Sequence, residues 1–265
     1  MQLEFDATNF IIGCPGRFAY IDAQHNSAGD ALLMSDSASI PLAPLDRQAR
    51  LGDLAYNSLK DRLVTGGFAP GDKLTVRAIA QALGVSTTPA RDALNRLMAD
   101  GNLVNAGPKT VVVPVLDRKV LDEITAIRLT LEGLAAETGA PHARKADIEC
   151  LEKFQTKINA GLDTSKYHDV LKYNRDFHFL IYGLSGMPRL VAMIETLWLR
   201  IGPSLNCLYP DFAISRRGVS NHLKAIKGLK VKDPAAVRAA MESDIRDGYA
   251  RLSRYVAERD SVAAE

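Results

Sequence analysis

Residues 75–101, TVRAIAQALGVSTTPARDALNRLMADG, constrain the fold more tightly than any other stretch. They predict two short helices joined by a tight turn. In the first, Val76, Ile79, Ala80 and Leu83 recur at helical spacing, and Thr75 is a natural N-cap. Gly84 supplies the left-handed residue that commonly ends a helix. Ser86 offers the next N-cap, and Pro89 falls in a first turn, where a missing N–H is tolerated. The second helix gathers Ala90, Ala93, Leu94, Leu97 and Met98 on one face and closes at Gly101. Thr87, Thr88, Arg91 and Asn95 lie on its other face, where no core needs them. That is the layout of a helix-turn-helix whose second helix opens toward a DNA major groove. An ordinary helical hairpin with a polar outer face is the plain alternative.

The flanks favour DNA. Leu103-Val104, then Asn105–Lys109, then Thr110–Val113 read as a two-stranded hairpin, the wing of a winged helix. Upstream, 48–65 forms an amphipathic helix with Leu51, Leu54, Ala55, Leu59 and Leu63, followed by Gly66-Gly67 and the turn Ala69-Pro70-Gly71-Asp72. The whole chain has a formal net charge of only +2, but residues 46–114 carry nine Lys or Arg against six Asp. Residues 1–45 carry one Arg and five acids. A basic module of this size is a modest electrostatic footprint, so specific contacts must carry more of the affinity for DNA.

The run G-F-A-P-G-D-K-L, followed by A-I-A-Q-A-L-G-V-S-T-T-P-A-R-D-A-L-N-R-L, resembles the DNA-binding domain of the GntR family. The branch it looks most like is FadR-like, with a helical FCD ligand domain, and the resemblance covers roughly 48–258. It implies DNA contacts from arginines near the start of both helices, at Arg77 and Arg91. Two positions depart from the family pattern. Thr87 stands where arginine is usual, and the wing tip reads Pro108-Lys109-Thr110-Val111 instead of carrying Arg-Gly, which leaves Lys109 as its basic contact. Both departures point to an operator unlike the family's standard one. The expected operator is double-stranded, pseudo-palindromic and read by a homodimer.

After Pro114 only helical periodicity appears. Helices are expected over 118–138, 144–160, 166–184, 189–201, 215–229 and 234–258, with Gly202-Pro203 stopping the fourth. The predicted fold class is mainly α: an N-terminal winged helix-turn-helix over 46–114, then an all-helical, FCD-like bundle over 115–260. Residues 1–45 lack periodicity and read as an extension whose removal should change little. Arg128 and Glu132 sit four apart and read as an i,i+4 ion pair worth a few tenths of a kcal/mol. Asn174 and His178 project from one face of one helix. His222 and Asp244 sit on two later helices, and bundles build metal sites from single residues on facing helices. On spacing alone, ordinary core or surface histidines remain the alternative.

The resemblance implies a divalent metal held by Asn174, by His178 of the Phe177-His178 pair, and by His222, with Asp244 where the family has a third histidine. Oxygen donors leave Zn, Mn, Ni or Mg open. It also places Arg128 near the pocket for a small carboxylate effector. Cys14, Cys150 and Cys207 are scattered, lack metal-ligand spacing and indicate a reduced, cytoplasmic setting without a disulfide framework. No apolar run approaches a membrane span. The reading is a ligand-responsive, DNA-binding transcriptional regulator, expected to repress, that senses an organic acid through its metal-containing domain. The alternative is a metal-dependent hydrolase on the helical domain, but no Ser-His-Asp, P-loop or H-E-x-x-H signal supports an enzyme.

Overall fold

The structure is a computed structural model that describes residues 47–209 and 211–262; the extension expected at 1–45 lies outside them. Helix α1 (Arg47–Val64) buries Ala55, Leu59 and Leu63 against the helix pair and leaves Leu51 and Leu54 exposed. Strand β1 (Lys73–Thr75) leads into α2 (Val76–Leu83), where the Thr75 hydroxyl accepts from the Ala78 N–H as an N-cap. Gly84 ends α2 with φ of 65°, a conformation that favours glycine. Helix α3 (Thr87–Ala99) buries Pro89, Ala90, Ala93, Leu94 and Leu97. Ser86 has the extended N-cap backbone but makes no side-chain cap bond, contrary to expectation.

Strands β2 (Val104–Gly107) and β3 (Thr110–Val112) form the wing, with Pro108 and Lys109 at its tip. The expected two-stranded hairpin is in fact a three-stranded antiparallel sheet, because β1 pairs with β3, Leu74 opposite Val111. That pairing ties the turn before α2 to the wing and fixes the wing beside the helix pair.

The second unit is helical throughout its described residues. It comprises α4 (Arg118–Gly139), α5 (Lys145–Asp163), α6 (Tyr167–Gly183), α7 (Pro188–Leu205), the short α8 (Asp211–Ser215), α9 (Arg217–Lys230) and α10 (Pro234–Val262). Asp117 caps α4 by accepting from the Val120 N–H at 2.8 Å. The core runs through Phe177, Ile181, Trp198, Ile226 and Met241. Cys207 is a free thiol.

Helix α7 corrects one boundary. Gly202-Pro203 does not stop it: the helix continues to Leu205 with Pro203 inside. The physical reason is packing on α1. A Cβ at Gly202 would stand 2.4 Å from the Leu63 carbonyl oxygen, so glycine permits an approach that no other residue could make. The same junction carries Lys60–Glu195 at 2.9 Å, Arg175–Asp61 at 2.5 Å, and a hydrogen bond from the Asn206 amide to the Gly66 carbonyl. The winged helix is therefore seated directly on α6 and α7.

Candidate functional site

Helix packing brings α6, α9 and α10 together at three side chains. His178 Nε2 lies 3.2 Å from His222 Nε2 and 3.2 Å from Asp244 Oδ2. Both imidazoles are almost wholly buried. Each is oriented by its other nitrogen. His222 Nδ1 faces the Gln155 side-chain oxygen at 2.8 Å, and the Gln155 nitrogen is committed to Asn159. His222 must therefore donate from Nδ1, which leaves Nε2 as a lone pair. Phe177 stacks on its ring at 4.0 Å.

The same logic fixes His178. Glu132 is paired with Arg128, whose Nε and Nη2 reach its two oxygens. The Tyr182 hydroxyl donates to Glu132 Oε2 and so spends its one proton there. Its oxygen is left to accept from His178 Nδ1–H at 2.8 Å. His178 Nε2 is then a second lone pair aimed at the first, with a carboxylate beside both.

The electrostatics agree. Burial pushes His222 down to about 3, so it stays neutral. Burial, then Glu132, pushes the Tyr182 phenol well above its ordinary value, so it keeps its proton. Burial opposes the charge on Arg128, yet Glu132 outweighs it and raises that group.

Three acceptor atoms within 4.8 Å of one another, with Asp244 Oδ1 buried and unpartnered, call for positive charge between them. Two ligands bound 2.0–2.1 Å from one tetrahedral ion stand about 3.3 Å apart, close to the 3.2 Å seen for both pairs on His178. The donor set fits a divalent first-row ion. Asn174 is half-buried and lines the same cavity as His178 and Asp244.

Arg128 also lines that cavity and lies over the Trp198 ring at 5.0 Å. Its i,i+4 pair with Glu132, expected from spacing, is present and buried: Arg128 is 7% and Glu132 0% exposed. Two of the five guanidinium N–H donors are used by Glu132, which leaves others for a ligand. The cavity has a water-accessible volume of about 50 Å³. At roughly 10–15 Å³ per water, it holds three to five waters or a small acid group. Tyr182 and Gln155 were missed by sequence reasoning, and Glu132 was read there only as the ion-pair partner of Arg128. Of the two missed residues, Tyr182 carried a signal, standing one helical turn after His178.

The winged helix presents the other site. Arg77, Thr87, Thr88, Arg91, Asn95 and Lys109 are all exposed. Arg96, on the same helix as Arg91, is instead held by Asp53 at 2.5 Å and lies over the Tyr56 ring at 4.0 Å. Arg91 is the arginine of α3 left available to a groove.

Comparison with known proteins agrees with both halves of the chain. Residues 51–113 match the model described as bacterial regulatory proteins, gntR family, and residues 123–247 match the FCD domain. The HTH-type transcriptional regulator McbR of Escherichia coli (strain K12) is 33% identical over 198 residues, covering 74% of this chain and 90% of that protein. The gluconate operon transcriptional repressor of Bacillus subtilis (strain 168) is 27% identical, over 73% of this chain and 81% of its own length. Among solved structures, E. coli McbR/YncC superposes with a TM-score of 0.73 at 32% identity, covering 77% of this chain and 98% of that one. These relatives are regulators, and nothing supports the hydrolase alternative. No helix among the described residues is long and apolar enough to cross a membrane. With a gntR-type winged helix joined to an FCD domain, and a relative matched over nine-tenths of its length, the chain belongs to the GntR family of bacterial transcription regulators and is not an enzyme.

Proposed function

We propose that this chain is a repressor that binds a pseudo-palindromic operator as a homodimer and leaves it when a small carboxylate reaches a metal in the helical domain. The observation that carries the reading is the trio His178, His222 and Asp244, whose facing atoms are all acceptors. Asn174 is the candidate fourth ligand. A divalent ion there would supply a Lewis-acidic anchor for the effector carboxylate. Arg128, fixed by Glu132, would orient that carboxylate through its remaining donors. Repression is carried over from the gluconate operon repressor of B. subtilis.

Residues 46–114 would be the DNA-binding domain and 115–260 the effector and dimerisation domain, working in the cytoplasm. Arg91 would present its fork to a guanine, with Thr87, Thr88 and Asn95 beside it, Arg77 on the backbone and Lys109 on the adjacent groove. The dimer is supported by α4, whose Ile127 and Leu134 stand outward on one stripe, each 39% exposed. The junction of α1 with α6 and α7 is the route by which an ordered cavity would reposition the winged helices.

The test is a gel shift on genomic fragments, with and without chelator, and with a panel of small acids. Retarded fragments that are released by an acid only in metal-replete protein would support the reading. Failure to retard any duplex, or release that ignores the chelator, would contradict it.

A further inference from the structure

A second cavity, of about 100 Å³ water-accessible volume, lies where the winged helix, the linker and the bundle meet. Its apolar wall is Pro70 of the winged helix, Val115 and Leu116 of the linker, Leu121 of α4, and Leu252 and Val256 of α10. Its polar lining is Ser204, Tyr255 and Arg259. None of His178, His222, Asp244, Asn174 or Arg128 lines it, so the candidate metal centre is not part of it.

The three polar residues differ in what they have left to offer. The Arg259 guanidinium donates through Nη1 to the Leu116 carbonyl at 3.0 Å, and through Nε and Nη2 to Asp260. Its charge is answered and its edge is largely spent, which leaves the flat face, a surface that stacks on aromatic rings. The Tyr255 hydroxyl is engaged with the Cys207 thiol. Ser204, in the last turn of α7, is 7% exposed, and its hydroxyl has no hydrogen-bond partner among the described residues. A buried hydroxyl left unpaired is unfavourable, so Ser204 is the group on this wall that calls for a partner. An anion would meet no uncompensated cation here. A neutral ring would meet apolar side chains, a guanidinium face and one free hydroxyl. At roughly 10–15 Å³ per water the cavity has about seven to ten water-sized positions, the size of one six-membered ring with a substituent or two.

We infer that the junction cavity is a second small-molecule site, independent of the metal, and that it takes a neutral monocyclic phenol. The ring lies among Pro70, Val115, Leu116 and Val256 and against the Arg259 face, and its hydroxyl pairs with Ser204. A phenol, with an ordinary pKa of about 10, keeps its proton at neutral pH. Because it touches winged helix, linker and bundle at once, it stabilises their seating by mass action. The chain would then answer to two chemically distinct signals, an acid in the bundle and a phenol at the junction.

The experiment is fluorine NMR titration of the full chain, as purified, with 4-fluorophenol and with 4-fluorotoluene, in which a methyl replaces the hydroxyl. One site per chain is expected, saturating below about 1 mM, within reach of a ligand of this size. The phenol should bind more tightly than the toluene by about two- to tenfold, the value of one hydrogen bond. Ser204→Ala should remove that preference and keep 4-fluorotoluene affinity at the wild-type level, which also reports that the cavity is intact. Chelator and His178→Ala should leave 4-fluorophenol affinity unchanged. Absence of saturable phenol binding would overturn the site. A phenol preference that survives Ser204→Ala would overturn the junction cavity as its seat, and loss of phenol binding on chelation would overturn its independence of the metal. Release of DNA by acids is read separately, so the carboxylate reading above and this one fail on different results.

Discussion

Tyr182→Phe separates orientation of a ligand from mere packing. The substitution keeps the buried ring, which meets His178 edge-on at 5.8 Å and Phe179 at 5.9 Å. It removes one oxygen and thereby unpairs two groups: the His178 Nδ1–H and one lone pair of Glu132 Oε2. Leaving a buried polar group unsatisfied costs about 1–3 kcal/mol, so metal-free protein should melt at a lower temperature. The effect on the metal is distinct. Without its acceptor the His178 ring loses its fixed tautomer and orientation, and loss of such an outer partner lowers metal affinity about 10–100-fold. That corresponds to about 1.4–2.7 kcal/mol. The assay is competition of apo protein against a chromophoric chelator, with melting followed separately. If the variant melts lower yet holds metal as tightly as wild type, Tyr182 is a packing residue only and the proton assignment around His178 is wrong.

Other outcomes follow from single residues. Arg91→Ala should lose sequence preference, a discrimination of about 1–3 kcal/mol, while keeping weak salt-sensitive DNA binding; undiminished operator affinity in quantitative gel shifts would refute its role in the groove. Gly202→Ala puts a Cβ 2.4 Å from the Leu63 carbonyl, so α7 must move off α1, and limited proteolysis at the junction should accelerate. Unchanged proteolysis would mean that the junction is not closely seated. Thr75→Ala should destabilise the winged helix by about 1 kcal/mol through loss of its N-cap, read from chemical denaturation. Sedimentation should give a dimer that Ile127→Asp weakens; a wild-type monomer on and off DNA would refute the two-fold operator.

The winged helix was largely legible because its signals are local: Thr75, Gly84 and the apolar spacing of α3 each act within a few residues. Strand β1 was not, since three residues become a strand only by pairing with β3 across more than thirty positions. Gly202-Pro203 reads as a stop in any local rule, and only the approach of α1 makes it a contact. In the candidate site, one helical turn linked Asn174 to His178, and a histidine on a later helix was a reasonable partner. Gln155 gave no signal, because it meets His222 only after α5 and α9 pack. The Arg128–Glu132 spacing was visible, but an exposed pair and a buried one look alike in sequence, and burial is what lets Glu132 orient Tyr182 and, through it, His178.

The central claim is that His178, His222 and Asp244 are held as metal ligands. Elemental analysis of protein purified without chelator tests it directly. About one divalent ion per chain is expected, with the ion lost in His178→Ala and in His222→Ala while both variants keep their helical content. Folded wild-type protein that contains no divalent metal, and takes up none on titration with zinc, manganese, nickel or magnesium, would contradict it.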